Sequence, residues 1–395
     1  MNHTHRYLTH INRPLSQVLL GVFFILSFYS RKEKSMSWQN NLRSVSPYIA
    51  GEQPELTDMI KLNTNENPYP PTSVAQLFNE RYKTKNLRLY PSTDAKSLRK
   101  KLADYHHLEI EQVFIGNGSD EVLSLSFLTF FNSQSPLLMP DITYSFYPIY
   151  CELYRIPFQK VPVDDDFKVS IKDYCIENGG IVIANPNAPT DLALNLKDIE
   201  EILKKNQKSI VLIDEAYIDF GGETCLPLLK KYDNLVVVQT FSKSRSLAGI
   251  RLGVAYGSAE AISHLYDVKN SFNSYPIDSL AQIIGEASLM DEHYFQKNIQ
   301  KIIKTREVFK DNLVNLGFEV TDSKANFVFV HHPKVKAEEL FKALYEAKII
   351  VRHWNQPRID DWLRITIGTN KEMNKVIEFL KGYLKKNEEI DEWKK

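Results

Sequence analysis

Three short apolar runs that each end on polar residues restrict what this 395-residue chain can become. Gly180–Ala184, Ile210–Ile213 and Leu235–Gln239 are nearly unbroken aliphatic stretches, the pattern of strands buried on both faces of a parallel sheet. Gln112–Ile115, Leu137–Met139 and Leu252–Tyr256 repeat it, and helical stretches such as Asp120–Phe131 and Leu196–Lys205 fall between the runs. That alternation is a βαβ signature, so the fold class is α/β with a large domain on a mostly parallel central sheet. From Gln296 the texture changes to a long Lys-rich amphipathic helix, then strands Asn326–His331, Ile349–His353 and Leu363–Ile367, then a terminal helix. A smaller α+β domain is expected there, joined by the segment Leu42–Pro71. The expected boundaries are 72–290 for the large domain, with 36–71 and 291–395 forming the small one.

Charge excludes some functions. Lys+Arg and Asp+Glu both number 49, so no basic excess suits a nucleic-acid partner. Cys151, Cys175 and Cys225 share no metal-ligand spacing, and an odd, scattered set suggests reduced thiols in the cytoplasm. The first 35 residues stand apart. Ser16–Ser30 is strongly apolar and flanked by Arg6, Arg13, Arg31, Lys32 and Lys34. Its core is short of the ~20 residues a membrane-crossing helix needs, and SFYSRKEKS offers no small-x-small cleavage site. The expectation is that 1–35 is an extension ahead of Met36, outside the fold, and that no membrane partner is involved.

Open α/β sheets bind ligands beyond the carboxyl ends of their strands. Here one strand ends in Ala184-Asn185-Pro186-Asn187-Ala188-Pro189-Thr190, a second in Asp214-Glu215-Ala216-Tyr217, and a third in Thr240-Phe241-Ser242-Lys243. A lone Asp after a strand is usually a turn residue, and a lone Lys is usually solvated. An acid, a phenol and an amine on neighbouring strand ends can instead converge on one small ring. Pyridoxal 5′-phosphate chemistry needs that set: a lysine for the Schiff base, an acid to keep the pyridine nitrogen protonated, and a donor to the ring oxygen. Lys243, Asp214 and Tyr217 fill those roles. Ser242 and Arg251 would join the phosphate site, with Gly116-Asn117-Gly118-Ser119-Asp120 as its other half. A glycine-containing turn that opens a helix offers free N–H groups to an anion. Tyr144 is a candidate to stack on the ring.

The runs NTNENPYP (63–70), LRLYPSTDAKSLR (87–99), GNGSDE (116–121), TYSFY (143–147), NPNAPT (185–190), DEAYIDF (214–220), TFSKSRSLAGIRLG (240–253), KANFVFV (324–330) and LRITIGT (363–369) resemble, in order, the histidinol-phosphate aminotransferase family. The resemblance covers essentially all of 36–395. It implies a fold-type-I pyridoxal-phosphate transferase, a homodimer that moves an amino group between L-histidinol phosphate and 2-oxoglutarate, giving imidazole-acetol phosphate and glutamate, in histidine biosynthesis. It further implies Lys243 as the catalytic lysine, Asp214 at the pyridinium and Tyr217 at the ring oxygen. Ser119, Asp120, Ser242 and Arg251 go to the phosphate, Tyr144 to the ring face, and Tyr90 to the partner subunit's phosphate. Tyr48, Arg352 and Arg364 would hold the substrate's phosphate or carboxylate, which a guanidinium suits by bidentate pairing.

One run departs from the family's Asn-Pro-Asn-Asn-Pro-Thr-Gly. Ala188 stands where an Asn contacts the ring oxygen, and Asp191 replaces the Gly. Asn187 is then the candidate for that contact, or Tyr217 serves alone. The rival enzymes are an aromatic-amino-acid aminotransferase and a decarboxylase of phosphorylated amino acids. A transcription regulator with an aminotransferase-like domain would need a helix-turn-helix ahead of it, and 1–35 is too short and too apolar.

Overall fold

The computed structural model describes residues 42–43, 45–48, 52, 58–73 and 84–393, with side chains to 386. The apolar extension 1–35, Ser16–Ser30 within it and Met36 lie outside the described residues. The chain divides into two units, Met1–Ser46 and Pro47–Lys395, and every regular element among the described residues lies in the second.

In chain order the strands are β1 (Ile60–Lys61), β2 (Val113–Asn117), β3 (Leu137–Pro140), β4 (Phe158–Val161), β5 (Gly180–Ala184), β6 (Val211–Asp214), β7 (Leu235–Thr240) and β8 (Leu252–Tyr256). After the long helix Glu292–Asn315 come β9 (Glu319–Val320), β10 (Phe327–His331), β11 (Ile349–Ile350), β12 (Arg352–His353) and β13 (Leu363–Thr366). β2 to β8 form one seven-stranded sheet in the order β2-β8-β7-β6-β5-β3-β4. Its pairings are parallel from β4 through β7, and β8 runs antiparallel to both of its neighbours.

This sheet is buried on both faces, and strand alternation sorts the residues between two cores. Ile181, Ile183, Val211, Ile213, Leu235 and Val237 face one cluster, with Ile199, Ile202 and Leu203 of the helix Leu196–Lys205. Val182, Leu212, Val236 and Val238 face the other, with Phe127 of the helix Gly118–Phe130 and Tyr147 of the helix Phe146–Tyr154. Residues buried on both sides have no polar alternation, which is why these strands read as continuous apolar runs.

A second, antiparallel sheet has the order β12-β13-β10-β9. Val328, Val330, Leu363 and Ile365 bury one of its faces against the helices Glu292–Asn315, Ala337–Glu346 and Asn370–Trp393. Phe327, Phe329, Arg364 and Thr366 alternate to the opposite face, with Phe329 beside Arg364 and Phe327 beside Thr366. The stretch Ile349–His353, expected as one strand, is two. Ile349 and Ile350 pair in parallel with Ile60 and Lys61, while Arg352 and His353 pair with β13. The segment after β1 continues along the second sheet: Thr366 N donates to Leu62 O, and Thr366 Oγ1 donates to Asn65 Oδ1 at 2.9 Å, across 301 residues of sequence.

Among the described residues no helix is long and apolar enough to cross a membrane.

Candidate active site

The carboxyl ends of β5, β6 and β7 open onto a cavity of about 280 Å³. Eleven of the thirteen residues singled out from the sequence line it: Tyr48, Ser119, Asp120, Tyr144, Asp214, Tyr217, Ser242, Lys243, Arg251, Arg352 and Arg364.

Lys243 follows β7 in a turn that Asn67 braces by donating from Nδ2 to Lys243 O and Ser244 O. Its amine donates to Thr64 O at 2.9 Å and lies 5.8 Å from the centre of the Tyr217 ring. Asp214 ends β6 and is 4% exposed. Its Oδ2 accepts from Tyr147 Oη at 2.8 Å and its Oδ1 from Ala216 N at 3.1 Å. Burial pushes the Asp214 carboxyl up to about 6; the Tyr147 and Ala216 hydrogen bonds and the Lys243 charge work against that rise, and Asp120 adds to it. Tyr217 Oη accepts from Asn65 Nδ2 at 3.0 Å, which leaves its own proton free to donate into the cavity.

The anion side is built by close approach. The helix Gly118–Phe130 begins with Gly118 at φ +79°, and the Asn117 side chain does not cap it, so its first N–H groups are available. A Cβ on Gly253 of β8 would collide with Gly118 and the Ser119 nitrogen, so only glycine lets β8 pass this helix start. Arg251 donates from Nη2 to Asp120 Oδ2 at 3.0 Å, and Tyr144 Oη donates to Asp120 Oδ1 at 3.2 Å. Asp120 therefore orients both a guanidinium and the aromatic ring beside it.

On the second sheet, Arg364 donates from Nη2 to Asn63 O at 2.8 Å, and its Nε is buried without a hydrogen-bond partner. Burial lowers its pKa, and the neighbouring Arg352 charge adds to that. Tyr48 stacks on Phe146, with ring centres 4.5 Å apart, and lies 6.2 Å from Tyr144. An unpaired buried cation edge that faces a cavity is suited to an anionic ligand.

Two expected residues lie elsewhere. Asn187 does not line this cavity, and its amide is bonded within the turn. Asn187 Oδ1 accepts from Thr143 Oγ1 at 2.8 Å, while Nδ2 donates to Ile142 O and Thr190 Oγ1 at 3.0 and 2.8 Å. Its amide is fully engaged in holding the turn, and Ala188 lines the wall with no polar group. Tyr90 is 81% exposed and stacks on Tyr275 at 4.6 Å, away from the cavity of its own chain. The same motifs also supply residues that carried no assigned role: Thr64, Asn65 and Asn67 in NTNENPYP, and Tyr147 in TYSFY. Their signal was a run of amides with no apolar period. The strand ends that Thr64, Asn65 and Asn67 meet are 152 to 179 residues away in sequence, and the one Tyr147 meets is 67 away, separations which no local pattern encodes.

The model of the family "Aminotransferase class I and II" matches residues 57–380. The chain is 98% identical to a histidinol-phosphate aminotransferase of Lactococcus lactis subsp. lactis, over 91% of this chain and all of the relative. It is similar to the solved histidinol-phosphate aminotransferase of Clostridium acetobutylicum, with a TM-score of 0.77 at 25% identity, covering 83% of this chain and all of that one. It also shares the fold of a Sinorhizobium meliloti histidinol-phosphate aminotransferase solved in complex with pyridoxal 5′-phosphate, with a TM-score of 0.74 at 18% identity, covering 83% and 91% of the two chains.

Proposed function

The chain belongs to the histidinol-phosphate aminotransferases, within the class I and II aminotransferases, and from that premise we propose how its cavity moves an amino group from L-histidinol phosphate to 2-oxoglutarate. The products are imidazole-acetol phosphate and glutamate, and the pathway is histidine biosynthesis. Pyridoxal 5′-phosphate is the cofactor. The observation that carries the division of labour is the convergence of one amine, one buried acid, an uncapped helix start and three guanidiniums on a single cavity.

The residues present fit that cofactor. The buried Asp214 carboxylate has two donors yet keeps free lone pairs, and a pyridinium N–H would offset the burial that now raises it. Ser119, Ser242 and Arg251, with Asp120 steering the guanidinium, would hold the phosphate at the helix start. Tyr217 would donate to the ring oxygen, with Asn65 behind it. Tyr144 would cover the ring face.

When bound, the cofactor supplies an aldehyde that amino groups can join and a ring that accepts electrons from the bond being broken. Lys243 would anchor it through Nζ. The same Nζ, once free, would take the proton from the substrate α-carbon and later return one. Thr64 O holds that amine in place, and Asp214 holds the proton on the ring nitrogen. Arg364, with Arg352 and Tyr48, takes the phosphate of histidinol phosphate, and Arg364 takes a carboxylate of glutamate.

Residues 72–290 serve as the large domain, with 36–71 and 291–395 as the small one. The active form is a cytoplasmic homodimer in which Tyr90 crosses to the partner's phosphate site. The exposed Leu87, Leu89, Tyr90, Phe272 and Tyr275 supply apolar surface for that contact. The test is a panel of histidinol phosphate, phenylalanine, tyrosine and phosphothreonine, each with 2-oxoglutarate, with Lys243→Ala as the silent control. Histidinol phosphate should give the highest kcat/KM; a higher value for any other donor would overturn the assignment.

A further inference from the structure

Trp354 lines the cavity and has no part in the chemistry described above. It stands two residues beyond Arg352, so alternation at the end of β12 turns both side chains to one side. The centre of the Arg352 guanidinium is 5.5 Å from the Trp354 ring centroid, and that of Arg364 is 5.2 Å away. Arg352 and Arg364 are themselves direct partners across the β12–β13 ladder. Like charges placed opposite one another on a sheet repel. Among the described residues neither guanidinium forms an ion pair with an acid, and Arg364 is left with its buried, unpartnered Nε. The negative face of an indole is the group that offsets such a pair. Trp354 is held in turn: it packs on the cluster of Ile142, Phe329 and Ile359.

We infer that Trp354 is a specificity-determining positioning residue, whose ring keeps the two guanidiniums side by side so that a phosphate is preferred to a carboxylate. The inference rests on the substrate reading given above. A carboxylate is planar and is satisfied by one guanidinium fork. A phosphate dianion has three oxygens and about twice the charge, and it engages two forks at once. Arg364 is already fixed by Asn63 O, by burial and by Phe327, whose ring centroid is 5.2 Å from it. Arg352 is the one the indole must hold.

The test uses holoenzyme of the wild type, Trp354→Phe and Trp354→Leu. Losing two part-buried cation–π contacts should lower kcat/KM for histidinol phosphate on the order of tenfold or more in Trp354→Leu, chiefly through KM. Glutamate, read by Arg364 alone, should lose less than about threefold, and Trp354→Phe should recover most of the loss because the ring face remains. Equal losses for the two substrates, or no loss in Trp354→Leu, overturn the inference. So does a fall in melting temperature with the ratio of the two substrates unchanged, which marks a packing role only. A second readout is tryptophan fluorescence during titration with inorganic phosphate. Saturable quenching in the wild type that disappears in Trp354→Phe supports the inference, and its absence from the wild type overturns it. Should the wild type turn over no histidinol phosphate, the substrate reading fails, and the phosphate titration then decides Trp354 by itself.

Discussion

Tyr147 Oη donates to Asp214 Oδ2 at 2.8 Å, joining the helix Phe146–Tyr154 to the end of β6 beneath the cavity floor. Both groups are buried, Tyr147 completely. The phenol cannot ionise there, since burial and the adjacent carboxylate hold its pKa well above the ordinary value, so it is a permanent donor. Tyr147→Phe removes that donor and leaves a buried carboxylate oxygen without it. A loss of about 1–3 kcal/mol is expected, together with a shift in the pH titration of the bound cofactor's visible absorbance. Urea unfolding and a spectral pH titration check both; a titration curve that superimposes on the wild type would exclude Tyr147 from setting the acid.

A pH dependence follows from the Asp214 carboxyl itself. Its pKa rises from 3.8 to about 6 in the folded protein. Between those values the native state keeps a proton that the unfolded chain has released, so its contribution to stability falls as pH rises through that window and is constant above it. Asp214→Asn lacks this penalty. In cofactor-free protein the variant should gain on the wild type by up to about 3 kcal/mol between pH 4 and pH 7, at ~1.36 kcal/mol per pKa unit. Denaturant midpoints across that range would show it, and a difference that does not change with pH would refute the raised carboxyl.

Asn187→Ala should act on stability and leave the cofactor alone. Its amide makes three hydrogen bonds within and beside the turn after β5, and breaking them should cost about 2–3 kcal/mol. The visible spectrum of the folded holoenzyme should be unchanged. A displaced absorbance maximum in a variant of normal stability would restore Asn187 to the ring.

Arg364→Ala should weaken both half-reactions, because the substrate phosphate and the glutamate carboxylate share this cation. Removing one partner of a buried charge contact costs about 2–5 kcal/mol, or roughly thirtyfold upward in kcat/KM. Arg364→Lys should recover only part of the loss, since an ammonium cannot copy the planar fork. The ratio of kcat/KM for histidinol phosphate over histidinol is the diagnostic: if it survives Arg364→Ala intact, Arg364 does not read the phosphate.

The active species should sediment as a dimer. Tyr90, at 81% exposure, and Phe272, at 74%, are too apolar to rest comfortably in water. Tyr90→Ala should weaken both self-association and cofactor retention. Full activity from a monomer at assay concentration would exclude the crossing.

The central sheet was legible because its strands are buried on both faces: β5 and β8 lie at the residues expected, 180–184 and 252–256. β4 left no comparable trace. Phe158–Val161 is an edge strand with two exposed residues, and FQKV has no continuous apolar run. The break at Val351 was hidden because the apolar run 349–351 is continuous; only the choice of partners, β1 for one half and β13 for the other, divides it. The same contrast holds in the site. Lys243, Asp214 and Tyr217 could be placed at one cavity because strand ends gather side chains there, and Arg364 because alternation sets it opposite Leu363 and Ile365. Asn187 lies off the cavity, and a polar residue next to an expected contact carries no sign of where its amide points.

The hydrogen bonds between Asn65 and Thr366 span 301 residues, and this has a consequence for how the enzyme is made. At ribosomal rates of ~5–20 residues per second, roughly 15 to 60 s separate the emergence of one partner from that of the other. The segment that presents Thr64 O to the lysine and Asn65 to Tyr217 must wait through that interval without its seat. A polypeptide arrested between Gly253 and Thr366 would already contain Lys243, Asp214 and the phosphate cradle, yet would lack the wall against which they are aligned. Translation thus delivers the reactive amine early and its alignment last.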